Sequence, residues 1–293
     1  MPRLFERVTI AGVGLIGGSL ALAARTAGLI GETVGLGRSE ANLLTAQRRG
    51  IIDRYSREPL EAARDADLLL LAVPVRASAA VARACAPALA AGAVVSDAGS
   101  VKACVVREVE AVLPAGMPFV GAHPIAGTEQ SGAAAAVAEL FHGSRCILTP
   151  GPSATPGAVA KIRALWEGVG MHVDEMDAAR HDRILAWVSH LPHALAFSTV
   201  NAVLDVDAAF QQFAGPSFRG VTRVAASSVD MWCDIFLANA AQVDSAIGTF
   251  VATLNALRRA IVDRDEAQVR ALLARAQTLR QQGSTDQRER APS

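Results

Sequence analysis

The feature that most constrains this chain lies near its start. A β-rich run at 8–11 leads straight into Gly12-Val-Gly14-Leu15-Ile16-Gly17. A G-x-G-x-x-G segment that closes a strand and opens a helix is the turn of a dinucleotide-binding βα unit. Gly12 permits the tight turn, Gly14 lets backbone approach a pyrophosphate, and Gly17 lets the helix pack close to the strand. The backbone N–H groups around Leu15 and Ile16 then face the phosphates at the helix start. Ser19 offers a hydroxyl to the same group.

The pattern downstream agrees with that turn. Apolar runs at 33–37, 67–73, 93–97 and 119–123 alternate with helical periodicity at 16–27, 42–49, 78–91 and 102–113. Further strands are expected at 145–149 and 172–176, around a helix at 158–169. Strands alternating with helices predict an α/β fold with a parallel, doubly wound (Rossmann-type) sheet. The runs are continuously apolar rather than alternating, as in a sheet covered on both faces. Val73 and Pro74 close one such run and join the expected cofactor set. After Met176 the strand signals stop and helical periodicity takes over. The expected division is a dinucleotide-binding domain at 1–176 and an all-helical domain at 177–293. The apolar face of 241–261 exceeds what one small layer can bury, so a homodimer through the helical domain is expected.

Composition excludes several function classes. Lys+Arg is 28 and Asp+Glu is 28 among 293 residues, and aromatics are 4%. A chain with no net charge and few aromatics carries neither the electrostatic footprint nor the stacking surface of a nucleic-acid binder. The longest apolar stretches, such as 68–75, are too short to span a bilayer. Cys85, Cys104, Cys146 and Cys233 lack metal-ligand or disulfide-framework spacing. No signal-peptide layout opens the chain. A soluble cytoplasmic protein with reduced thiols and a small-molecule substrate is expected, with no nucleic-acid, membrane or metal partner.

The end of the second strand speaks to the cofactor. An NAD site places a carboxylate there for the ribose 2′-OH. This chain reads Val34-Gly-Leu-Gly37-Arg38-Ser39, with Glu40 arriving late. Arg38 and Ser39 suit a 2′-phosphate, so NADP is favoured. Arg38 could instead be a loop residue stacking on adenine, which leaves NAD as the alternative.

Two further segments carry chemistry. Gly121-Ala-His123-Pro-Ile-Ala-Gly127-Thr-Glu129-Gln-Ser131-Gly132 begins at a strand end. Ligands of doubly wound sheets sit outside the strand carboxyl ends, so a neutral His123 is placed to take a proton from an alcohol as hydride leaves the same carbon. Ser189-His190-Leu-Pro192-His193 lies on the first long helix of the helical half. In a straight helix Asp182, Ser189 and His193 share nearly one face, with Asp182 and His193 about 16 Å apart along the axis. Pro192 predicts a kink there. His142, His172 and His181 have no motif around them and read as structural.

These segments together resemble the prephenate/arogenate dehydrogenase family of tyrosine biosynthesis. The resemblance covers nearly the whole chain. It rests on GVGLIGGS at 12–19, DAGSVK at 97–102, HPIAGTEQSG at 123–132, SHLPH at 189–193 and FRGVTRVA at 218–225, followed by Met231-Trp232. It implies NAD(P)-linked oxidative decarboxylation of a cyclohexadienyl substrate. It also implies that His123 bonds the ring hydroxyl, with Ser100 orienting it. Arg223 would bind a substrate carboxylate, with Arg219 as a second candidate. His193 would bind substrate, Glu129 would sit near the site as a gating or proton-linked acid, and Asp182 would be a further polar site residue. One departure is Ala214-Gly-Pro216-Ser-Phe218, where the inserted proline could shift Arg219.

Two other readings compete. A β-hydroxyacid dehydrogenase or imine reductase would share the two-domain layout, but hydroxyacid relatives use a lysine in the helical half, and this half has none. A non-catalytic dinucleotide-sensing dimer would need neither His123 nor paired arginines.

Overall fold

The computed structural model describes residues 3–128 and 130–289. Among them, eight strands form one sheet: β1 (Phe5–Ala11), β2 (Ile30–Leu36), β3 (Arg54–Ser56), β4 (Leu68–Leu71), β5 (Val94–Asp97), β6 (Phe119–Ile125), β7 (Arg145–Pro150) and β8 (His172–Glu175). Their order is β3-β2-β1-β4-β5-β6-β7-β8. The chain reverses its direction of growth across the sheet at β1. That switch opens a crevice beyond the carboxyl ends of β1 and β4.

The strands between helices are parallel, as alternation predicts. The exception is β6–β7, which is antiparallel, with His123 opposite Ile147. The connection between these strands holds two short 3-10 turns and no crossover α-helix, so the chain re-enters the sheet in the opposite sense. The three-residue β3 is a further addition, too short to show a hydrophobic period of its own.

β4 illustrates why the runs are apolar throughout. Leu68 and Leu70 join the core cluster on one face, while Leu69 and Leu71 join the cluster on the other. Each is at most 1% exposed, so each burial contributes about 2 kcal/mol before chain entropy is counted.

The flanking helices are α1 (Leu15–Thr26), α2 (Glu40–Arg48), α3 (Pro59–Ala62), α4 (Ser78–Cys85), α5 (Ala103–Glu110) and α6 (Pro156–Gly168). Local chemistry sets their starts. Ser39 caps α2 by accepting from the Asn42 N–H, and Thr155 caps α6 with Pro156 in its first turn. The helical part comprises α7 (Ala178–Leu185), a π turn at Ala186–His190, α8 (Leu191–Val206), α9 (Pro216–Thr222), α10 (Val229–Ala238), α11 (Ala240–Val262) and α12 (Glu266–Glu289). Asp177 caps α7 through the Arg180 N–H at 2.8 Å.

The π turn corrects the straight-helix expectation. Pro192 has no N–H for the i−4 carbonyl, and the wider turn lies immediately before α8. Wide turns of this kind re-phase the residues that follow. Here His181, Asp182, Leu185, Ala186 and His190 are all buried. By packing, the chain forms two compact units, Met1–Gln242 and Val243–Ser293. Every candidate site residue lies in the first. Among the described residues no single helix is long and apolar enough to cross a membrane.

Candidate active site

The glycine loop leaves β1 and turns into α1. Gly12 has φ +91, and a Cβ there would lie 2.3 Å from the Ala72 carbonyl oxygen. A Cβ at Gly17 would lie 2.4 Å from the Gly12 oxygen. Both glycines are therefore required by the chain's own packing. Gly14 is different: its φ is −107 and nothing lies within 4 Å of a Cβ placed on it. Neither conformation nor packing calls for glycine there. The open space fits a phosphate brought against the backbone, and α1 has no side-chain cap to compete for it. Val73 stands beside the turn, with its Cγ1 3.1 Å from where a Cβ on Gly12 would fall. The residues present therefore fit a dinucleotide. Asn42 braces the loop by donating to the Val13 carbonyl and accepting from the Ala133 N–H.

Three strands further across the sheet, about 14 Å from β1 by ordinary strand spacing, β6 presents His123 near its carboxyl end. Its backbone is held by a buried ion pair. Lys102 and Asp97 are both 0% exposed, and the Lys102 ammonium donates to the Asp97 carboxylate. The same ammonium donates to the Ala122 carbonyl at 2.8 Å, and Asp97 accepts from the Ala122 N–H at 3.0 Å. The pair thus clamps both polar groups of the residue next to His123. Asp97 also accepts from the Gly99 N–H, which shapes the 98–101 turn.

His123 is 8% exposed. Its Nδ1 lies 2.8 Å from His181 Nε2, and His181 Nδ1 lies 2.8 Å from Asp182 Oδ1. Asp182 in turn accepts from the backbone N–H groups of Lys102 and Ala103 at the start of α5. Burial holds His123 well below the ordinary imidazole pKa, and the nearby His181, Lys102 and His190 push the same way. It is neutral at physiological pH, as a proton acceptor must be.

The far wall comes from the π turn, α8 and α10. His193 donates from Nδ1 to the Ser189 carbonyl and stacks on Trp232, with ring centroids 3.6 Å apart. Burial lowers its pKa, and the charge of Arg223 adds to that effect. His190 is 1% exposed, and burial holds its pKa down to about 4. Asn239 donates to the Asp182 carbonyl and to His190 Nδ1.

A nucleotide-binding sheet and a histidine-rich helical wall converge on one imidazole. Comparison with known proteins gives this arrangement a family. The model for the prephenate dehydrogenase nucleotide-binding domain matches residues 20–175, and the model for the prephenate dehydrogenase dimerization domain matches 177–275. The chain belongs to the prephenate dehydrogenase family. It is 39% identical to the cyclohexadienyl dehydrogenase of Zymomonas mobilis over 267 residues, covering 89% of this chain and 90% of that one. It is 31% identical to the prephenate dehydrogenase of Bacillus subtilis, covering 90% and 72%. The structure of prephenate dehydrogenase from Aquifex aeolicus in complex with hydroxyphenyl propionate and NAD+ superposes with a TM-score of 0.89. It is 34% identical and covers 94% of this chain and 98% of that one. The chain is accordingly an oxidoreductase with a nicotinamide-binding domain.

Within this family frame, several expected roles change. Ser19 is fully buried and its hydroxyl accepts from the Val137 N–H, so it braces a neighbouring loop rather than a phosphate. Ser39 Oγ is engaged as the α2 cap. Ser100 is half-buried in the 98–101 turn, but the partner on His123 Nδ1 is His181. His181, read as structural from the sequence, is therefore the ring that His123 Nδ1 meets. Asp182 does not line the cleft: its carboxylate is taken up by His181 and the α5 start. Arg219 is exposed and donates to the Ala214 carbonyl in the loop that Pro216 shapes. Arg223 lies close enough to His193 for its charge to act there. Arg38 and Pro74 are exposed at the strand ends where the cofactor is expected. Glu129 lies outside the described residues.

Proposed function

We propose that this enzyme oxidatively decarboxylates prephenate, and arogenate as an alternative substrate, with NADP preferred over NAD. The observation that carries this reading is a neutral imidazole, bonded through Nδ1, at a sheet end that also bears the glycine loop. When bound, the nicotinamide supplies the hydride acceptor. His123 Nε2 takes the proton of the ring hydroxyl as hydride leaves the same carbon. Loss of CO₂ from the opposite ring carbon then gives a phenolate, and His123 returns the proton to that oxygen. The cycle releases no net proton, which suits a base held away from water. Arg223 and His193 are assigned to the substrate's carboxylate-bearing end.

Several observations support the finer points. Glu40, the carboxylate nearest the end of β2, accepts from the Tyr55 hydroxyl, while Arg38 stays exposed for a 2′-phosphate. We assign residues 1–176 to the dinucleotide and 177–293 to substrate and to pairing with a second copy. Val206, Phe213 and Val229 expose 73%, 79% and 74% of their surface, apolar side chains that a second copy would cover. The four cysteines are free, in keeping with a reducing cytoplasm.

The test is cofactor reduction, followed by near-ultraviolet absorbance, with prephenate or arogenate and either dinucleotide. Turnover with neither substrate would overturn the reading. The Arg38→Asp variant should move preference from NADP toward NAD by about tenfold or more, the worth of one charge-assisted contact. A parent enzyme that already prefers NAD would remove the 2′-phosphate assignment.

A further inference from the structure

We propose that His181 and Asp182 are positioning residues that fix which nitrogen of His123 faces the substrate. The proposal rests on the reading of His123 as the base. A carboxylate can only accept hydrogen bonds. Asp182 is held in place by two backbone N–H groups, from Lys102 at 2.7 Å and Ala103 at 2.8 Å. Its contact with His181 Nδ1 therefore requires the proton to sit on that nitrogen. His181 is fully buried, and burial lowers its pKa, so the ring is neutral and its Nε2 is bare. The 2.8 Å contact with His123 Nδ1 then requires His123 to be the donor. The remaining nitrogen, His123 Nε2, is left as a lone-pair acceptor.

Imidazole in water does not favour one tautomer strongly enough to guarantee this outcome, so the line of contacts supplies it. The same line stabilises the product of proton transfer. When Nε2 takes a proton, the charged ring strengthens its bond to His181, and the Asp182 carboxylate lies one ring beyond. The arrangement extends the Asp–His logic of serine hydrolases by one imidazole. The groups that face the His123 ring are His181 from α7, Lys102 from the turn before α5 and His190 from the π turn, while the Cys146 thiol of β7 meets the His123 backbone. Those that face His181 are Asp182, Lys102 and Asp97.

The test uses the full-length enzyme and two variants. Ring-nitrogen NMR of the substrate-free parent should show His123 protonated at Nδ1 and bare at Nε2. The opposite tautomer would overturn the proposal whatever the substrate proves to be. His181→Phe fills the space and leaves Asp182 its two backbone donors, but gives His123 no acceptor. It should lose the fixed tautomer, lower kcat by about ten- to a hundredfold, leave KM near the parental value, and displace the acid limb of the kcat profile from its parental position. His181→Gln can place its amide oxygen near the lost Nε2 and should recover most of kcat. Equal loss in both variants, or parental kcat and pH profile in His181→Phe, would refute the assignment. Failure of the parent to turn over prephenate or arogenate would instead remove the substrate reading and leave the tautomer result standing.

Discussion

Replacing His123 with asparagine should lower kcat by about two to four orders of magnitude, the usual contribution of a positioned general base. That corresponds to roughly 3–5 kcal/mol of lost transition-state stabilisation. The substitution is chosen for its shape. The asparagine amide ends near where imidazole Nδ1 sits, so it can still donate to His181, but nothing replaces Nε2. Folding and cofactor binding should therefore survive, because the glycine loop stands on β1, with β4 and β5 between it and β6. Fluorescence titration with the dinucleotide should give a near-parental Kd. The acid limb of the kcat profile should disappear with the group that produces it. A variant that turns over at the parental rate would show that the proton leaves by another route.

Lys102→Ala should have the largest effect on stability. The ammonium and its Asp97 partner are both 0% exposed, so truncation strands a carboxylate in the core. Breaking a buried pair from one side costs about 3–5 kcal/mol, a large share of the roughly 5–15 kcal/mol that holds a domain folded. The melting temperature should fall by roughly 10 °C, as read by calorimetry or circular dichroism. Activity should fall as well, since the pair clamps the Ala122 backbone that leads into His123. The double variant Asp97→Asn/Lys102→Met removes the charge from both sides and should recover part of the lost stability. If the single variant melts like the parent, water reaches Asp97 and the clamp is not a sealed one.

The sequence made the nucleotide-binding half legible because its signals are local. A glycine loop between a strand and a helix, and a strand such as β4 that is apolar at every position, require no knowledge of distant contacts. The sense of β7 was not legible, since strand direction depends on the path of the 126–144 connection and not on periodicity. His123 could be found because it ends a strand in a recognisable segment. His181 could not, because a single histidine on an amphipathic helix looks like ordinary packing. The available clue was its neighbour: Asp182 beside it on a buried face signals a partner to be held. Straight-helix arithmetic also misled, since the π turn at Ala186–His190 shifts the phase between Asp182 and His193. Ser19 shows the reverse error. Its place in the loop suggested a phosphate ligand, but its small buried hydroxyl serves the backbone at Val137.

The sealing of Lys102 has a practical corollary for handling the protein. The chain has two lysines, and the other, Lys161, stands exposed on α6 with its ammonium 5.5 Å from the centre of the Phe5 ring. Besides the α-amine, amine-directed dyes, resins or cross-linkers therefore meet a single lysine in the native state, which permits oriented immobilisation without engineering. Modification at the second lysine would report loss of the native interior.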